Sequence, residues 1–96
     1  MRWTAPALAS LRELAERIAE TSPAAADRII ARIFASVAHL VDHPEMGRSG
    51  RVGGTRELII DNGRRIIVYR VQGPEVIIMA VLDTRQQWPM SFDDDA

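Results

Sequence analysis

Seven successive residues, Val76-Ile77-Ile78-Met79-Ala80-Val81-Leu82, are apolar without a break. A strand with one face in water alternates apolar and polar side chains. An unbroken run of this length instead marks a central strand covered on at least one face. Gly73-Pro74 punctuates the chain just before it. Upstream, Arg65 to Gln72 contains Ile66-Ile67-Val68-Tyr69, a second strand reading. Asp61-Asn62-Gly63 is a hairpin signal, because Asn and Gly tolerate the positive φ of tight turns. It links Arg65–Gln72 back to a further strand over Arg56–Ile60. The second half therefore reads as a three-strand antiparallel meander with its longest apolar strand last.

The first half has a different period. Arg2 to Thr4 reads as a short strand, after which Thr4 can cap a helix with Pro6 in its first turn. Leu8, Leu11, Leu14 or Ala15, and Ile18 recur at helical spacing up to about Glu20. Thr21-Ser22-Pro23 breaks and restarts the helix, with Ser22 suited to the N-cap and Pro23 to the first position. Ile30, Ile33 or Phe34, Val37, and Leu40 or Val41 form the stripe of a second helix ending near Asp42. So short a link forces an antiparallel helical hairpin. From His43 to Gly54, four glycines and one proline spell a loop of about 12 residues, close to the upper limit for a compact domain. The expected fold is α+β in the order β-α-α-β-β-β, a helical hairpin packed on one face of a mostly antiparallel sheet. Its 96 residues suit one domain, 1–96, with an acidic tail over about 90–96.

Charge and composition narrow the function classes. The chain has no cysteine, which excludes disulfides and thiol catalysis and fits a reducing cytoplasm. No apolar run reaches the roughly 20 residues of a membrane span, and the N-terminus lacks a signal-peptide pattern. No paired His or Cys suggests a metal, Gly53-Gly54 has no lysine to make a phosphate-binding loop, and no cofactor is expected. Net charge is −1, yet all 12 basic residues are arginine. Six of them (Arg48, Arg51, Arg56, Arg64, Arg65, Arg70) lie between positions 48 and 70, against only Glu57 and Asp61. Asp93, Asp94 and Asp95 close the chain. The basic middle reads either as a solvated surface or as a binding patch for anions.

The order strand, helix, helix, glycine-rich loop and meander resembles the RelE/ParE toxins of type II toxin–antitoxin systems. Arg2-Trp3-Thr4-Ala5-Pro6-Ala7-Leu8 is similar to that family's opening. His43-Pro44-Glu45-Met46-Gly47-Arg48 resembles the signature closing its second helix. Gly54-Thr55-Arg56-Glu57-Leu58 and Ile66-Ile67-Val68-Tyr69-Arg70-Val71 resemble its strands. Val81-Leu82-Asp83-Thr84-Arg85-Gln86-Gln87-Trp88-Pro89 resembles its closing signature. The match spans nearly the whole chain, and it departs at Asp83, where many relatives carry histidine.

The resemblance implies one of two activities. RelE-like members cut messenger RNA on the ribosome with lysines and arginines of the sheet; ParE-like members poison DNA gyrase without cutting. The positions of those bases hold Glu57, Ile59 and Ile66 here, and Arg85 alone falls on a working arginine, leaving it the one weak catalytic candidate. Arginine stabilises a phosphate but is a poor base. His39 and His43 lie in or just after helix two, and Tyr69 reads as core or half-buried. The ParE-like branch is therefore expected: Arg56, Arg64, Arg65, Arg70 and Arg85 as target-binding residues, gyrase as target, and a cognate antitoxin as partner. Ribosome-dependent RNA cleavage and a non-toxic antitoxin-binding module are the alternatives. Trp3, Trp88 and Phe92 are candidate antitoxin contacts; Trp88, Pro89, Met90 and Phe92 either fold back on the core or form part of a partner site.

Overall fold

The computed structural model describes residues 1–86 together with Trp88 and Phe92. Strand β1 (Arg2–Trp3) leads into helices α1 (Ala5–Thr21) and α2 (Pro23–Asp42). Strands β2 (Arg48–Ser49), β3 (Arg56–Ile60), β4 (Arg65–Gln72) and β5 (Glu75–Asp83) follow. Among the described residues they form a five-stranded sheet of order β1-β5-β4-β3-β2, antiparallel except where β1 runs parallel to β5. The expected architecture is present, with one correction. The glycine-rich segment is not a free loop: Arg48 and Ser49 pair with Glu57 and Arg56 and extend the sheet at its edge.

The apolar run at 76–82 is the central strand β5, and it is covered on both faces. Its alternation is broken by a bulge. Val68 pairs with Ala80 while Tyr69 pairs with Ile78, so Met79 has no partner of its own on β4. An extra residue reverses which face the following side chains meet. Val76, Ile78 and Val81 consequently join the helix-side core, while Ile77, Met79, Ala80 and Leu82 turn to the other face. That second face is packed by Trp88 and Phe92, whose rings meet edge-on at 6.4 Å. The aromatic pair past β5 thus folds back on the sheet. Pro89, Met90 and the acidic end lie outside the described residues.

The helices are set by their caps. Thr4 Oγ1 accepts from the Ala7 N–H at 3.1 Å, and the Thr4 N–H donates to the Ile78 carbonyl at 3.1 Å. One buried residue therefore ends β1, starts α1 and ties both to β5. Ser22 closes α1 by donating its N–H to Ile18 and opens α2 by accepting from Ala25 through Oγ. Leu11, Leu14 and Ile18 face the sheet as expected, but Ala7 rather than Leu8 completes the stripe, and Leu8 is exposed. On α2 the choices resolve to Ile33 and Leu40, leaving Phe34 and Val41 outside. Spacing alone leaves a helical stripe free to rotate by a residue; here the packing on the sheet buries Ala7 completely and leaves Leu8 outside.

A polar clamp holds the glycine-rich segment. Tyr69 is fully buried, and its hydroxyl accepts from the Gly47 N–H at 2.8 Å and donates to the Pro44 carbonyl at 2.7 Å. A Cβ at Gly47 would stand 2.6 Å from the same hydroxyl, so only glycine fits there. Tyr69→Phe leaves a buried N–H without an acceptor and is expected to cost about 1–3 kcal/mol in chemical denaturation. A loss below about 0.5 kcal/mol would show that the clamp is dispensable.

Candidate functional site

The arginines of the basic middle do not form one surface. Arg65 pairs with Ile60 and Arg56 with Tyr69. Four rungs of β4 therefore separate the two ends, about 13 Å at 3.3 Å per residue. At the far end Arg56 is half-buried and donates through Nη1 to the Gly47 carbonyl at 2.7 Å, fastening the loop. Arg70, also half-buried, shares a strand with Ile66 and Val68, two positions on from Val68, which turns it to the second face. Arg48 and Arg51 are held by Glu57, at 3.1 and 3.4 Å. Arg51 also lies 3.6 Å over the ring of Trp88, a cation–π contact that anchors the aromatic pair.

Arg64, Arg65 and Arg85 do converge, at the near end. The turn after β5 is fastened to the β3–β4 hairpin by the Thr84 N–H donating to the Arg64 carbonyl at 2.9 Å. Asp61, Asn62 and Gly63 all take positive φ in that hairpin, at 55°, 56° and 85°. The predicted turn is there, built as a four-residue connection between Ile60 and Arg65. The helices supply the opposite wall. A cavity of about 320 Å³ is lined by Leu14, Arg17, Ile18, Thr21, Ser22 and Ala25 from the hairpin, and by Arg64, Arg65, Asp83 and Arg85 from the sheet. Arg17 and the Ser22 corner are lining groups that sequence reading missed. Nothing in the sequence of a polar helix face distinguishes one exposed arginine from another.

Asp83 faces this cavity because of the bulge, which places Val81 and hence Asp83 on the helix side. Burial raises its carboxyl pKa. The Arg85 N–H and side chain, and the charges of Arg85 and Arg65, outweigh that, so the group sits below its ordinary value. It is an ionised acceptor, receiving the Arg85 N–H at 2.9 Å, and it has no proton to give near neutral pH.

The sheet positions at issue for RNA cleavage are equally plain. Glu57 is buried; burial raises its pKa, but the Arg51 N–H, the Arg48 hydrogen bond and both cations lower it further than burial raises it. Ile66 is buried under the aromatic pair, and Ile59 is exposed. Tyr69 is pushed up by burial, partly offset by the Gly47 N–H, and its hydroxyl is committed at both lone pair and proton. His39 and His43 stand exposed at the end of α2. Among the described residues no group of three or more His, Cys, Asp or Glu gathers to hold a metal.

What these parts define is a small α+β protein with an arginine-walled cavity between a helical hairpin and a sheet. Residues 1–88 match the family model for the ParE toxin of the type II toxin–antitoxin system parDE. The chain belongs to that family. It is 42% identical over 89 residues to Y4kP, a candidate toxin of Sinorhizobium fredii (strain NBRC 101917 / NGR234), covering 93% of this chain and 92% of the relative. Its fold is similar to a chain in a solved structure of the chromosomal ParDE system of P. aeruginosa. That match has a TM-score of 0.73 and 26% identity, over 85% of this chain and 91% of the other.

The two depressed carboxylates set an acid limit. Their folded-state pKa values lie below the ordinary values of 4.5 for Glu57 and 3.8 for Asp83. The unfolded chain therefore binds more protons in that range, and stability rises with pH. The contribution is complete above about pH 5 and is lost as pH falls through the folded-state values. Glu57→Gln should melt earlier at pH 7, by about 1–3 kcal/mol, and show a flatter acid limb. An acid limb as steep as that of the unsubstituted protein would assign the sensitivity to other groups.

Proposed function

We propose that this chain is the toxin of a type II pair, acting in the cytoplasm by binding DNA gyrase and stalling replication until a cognate antitoxin neutralises it. The observation that carries the binding reading is the state of the sheet. RNA cleavage needs one group to take a proton from the 2′-hydroxyl and another to return one to the leaving oxygen. The described sheet offers arginines, two carboxylates held ionised, a locked tyrosine and isoleucines at the positions concerned. Arg85 can stabilise a phosphate, but it keeps its proton.

The arginines take unequal parts in this reading. Arg64 and Arg85 are exposed, Arg85 while paired with Asp83 at 3.4 Å, and can meet a target, whereas Arg65 is buried. Arg56 and Arg70, at the other end, contribute by fastening the loop and by lining the second face. The helical hairpin supports the antitoxin part. Phe34 and Val41 are exposed seven residues apart along α2, Leu8 is exposed on α1, and Trp3 packs on Phe34 at 5.6 Å between ring centroids. An apolar stripe of this kind suits an amphipathic helix of a partner. Trp88 and Phe92, occupied with the second sheet face, contribute less contact area to such a partner. No helix among the described residues is long and apolar enough to cross a membrane.

Purified protein added to gyrase supercoiling reactions and to programmed ribosomes tests the reading. Lost supercoiling with intact message is the expected result. Cut message with untouched gyrase, or unimpeded growth on expression without antitoxin, overturns it.

A further inference from the structure

The cavity at the near end of the sheet carries more than a list of arginines. Arg17, Arg64, Arg65 and Arg85 stand around it, drawn from α1, the β3–β4 hairpin and the turn after β5. Asp83 is the one acid in the lining, and Asp61, which holds Arg65 and Arg32, stands behind it. Cations thus outnumber carboxylates even when Asp61 is counted. Arg65 is 94% buried on this account (6% exposed), and its Nε has no hydrogen-bond acceptor. A buried charged donor left without an acceptor costs stability, and a ligand oxygen would recover that cost. The amino end of α2 opens on the same space at Ser22 and Ala25 and the carboxyl end of α1 at Ile18 and Thr21, so the two helix dipoles offset and the arginines set the charge of the site. The rest of the lining is Thr21 and an apolar part made by Leu14, Ile18 and the Ala25 methyl.

We infer that this cavity seats an acidic side chain of the antitoxin together with a neighbouring aliphatic residue. The inference rests on the antitoxin reading above and names its anchoring point. The mixed lining favours a peptide over a nucleic-acid backbone, since a phosphodiester has nothing to place against Leu14 and Ile18. The chain's net charge of −1 also opposes a polyanion, whereas a single carboxylate needs only the local excess of arginine. A carboxylate here meets planar guanidinium forks suited to two-oxygen pairing. Seating it covers Arg64 and Arg85, so antitoxin and target compete for the same side chains.

The test measures binding of the antitoxin encoded beside this gene to the full chain and to the double variant Arg64→Ala, Arg85→Ala, at two salt concentrations. Both side chains are exposed, and thermal melting checks that the variant is folded. Affinity is expected to fall about 10-fold or more, as charge-assisted hydrogen bonds are removed. Its dependence on salt is expected to become shallower. In a second arm, the arginine Nε–H resonances are followed by NMR during addition of N-acetyl-Leu-Glu-amide, N-acetyl-Leu-Gln-amide or inorganic phosphate. The Arg65 signal should shift with the glutamate peptide and not with its glutamine counterpart. Equal antitoxin affinity in the double variant overturns the anchoring point while leaving the antitoxin reading intact. No binding by the unsubstituted chain overturns both. An Arg65 signal that shifts with phosphate and not with the glutamate peptide replaces the carboxylate site with a phosphate site.

Discussion

Strand β5 loses water from both faces and both edges, and the remaining elements are arranged to accomplish that. The helical hairpin covers Val76, Ile78 and Val81, while Trp88 and Phe92 pack on Ile77, Met79, Ala80 and Leu82. Strand β4 pairs with one edge along its length. The other edge meets only two residues of β1, and beyond them the Ser10 hydroxyl of α1 accepts the Val81 N–H at 3.0 Å. A helix side chain thereby completes a ladder that no strand reaches. Each buried aliphatic side chain contributes about 1.5–3 kcal/mol of transfer free energy, but only if the backbone beside it is satisfied.

The bulge opposite Val68 and Tyr69 connects this packing to the site. It resets which residues of β5 face each core, and it turns Asp83 toward the helices. Asp83 then receives the Arg85 N–H, and the turn it shapes is fastened to the hairpin through Thr84. Three segments far apart in the chain are so brought to one cavity. Its chemistry follows from what they carry: several fixed cations, one ionised carboxylate and no group that exchanges a proton near neutral pH. That inventory is suited to holding an anion.

Much of the fold was legible because it depends on local signals. Thr4 and Ser22 cap helices wherever they precede such periodic segments, and Gly73-Pro74 and Asn62-Gly63 turn the chain for steric reasons of their own. The site was legible only in part. Arg64, Arg65 and Arg85 were identifiable as candidates, but so were Arg56 and Arg70, which the sheet carries to other places. Arg17 gave no signal, since its role depends on a wall 47 residues away in the chain, at Arg64, and beyond. The short strand Arg48–Ser49 was hidden because two polar residues between glycines have no strand pattern; pairing with β3 makes it one.

The sequence by itself determined the element order, the helical hairpin and the central apolar strand, because periodicity, caps and turn residues act over a few positions. It also determined that strand's apolarity on both sides. Tertiary structure alone decided which face each residue of that strand meets, since an unbroken apolar run has no alternation in which to record a bulge. It decided as well that Leu8, Phe34 and Val41 stay in water while Ala7, Ile33 and Leu40 do not, because helix rotation is set by the surface it packs on. And it decided which arginines share a cavity, for charge has no period in sequence and finds its neighbours only when the chain is folded.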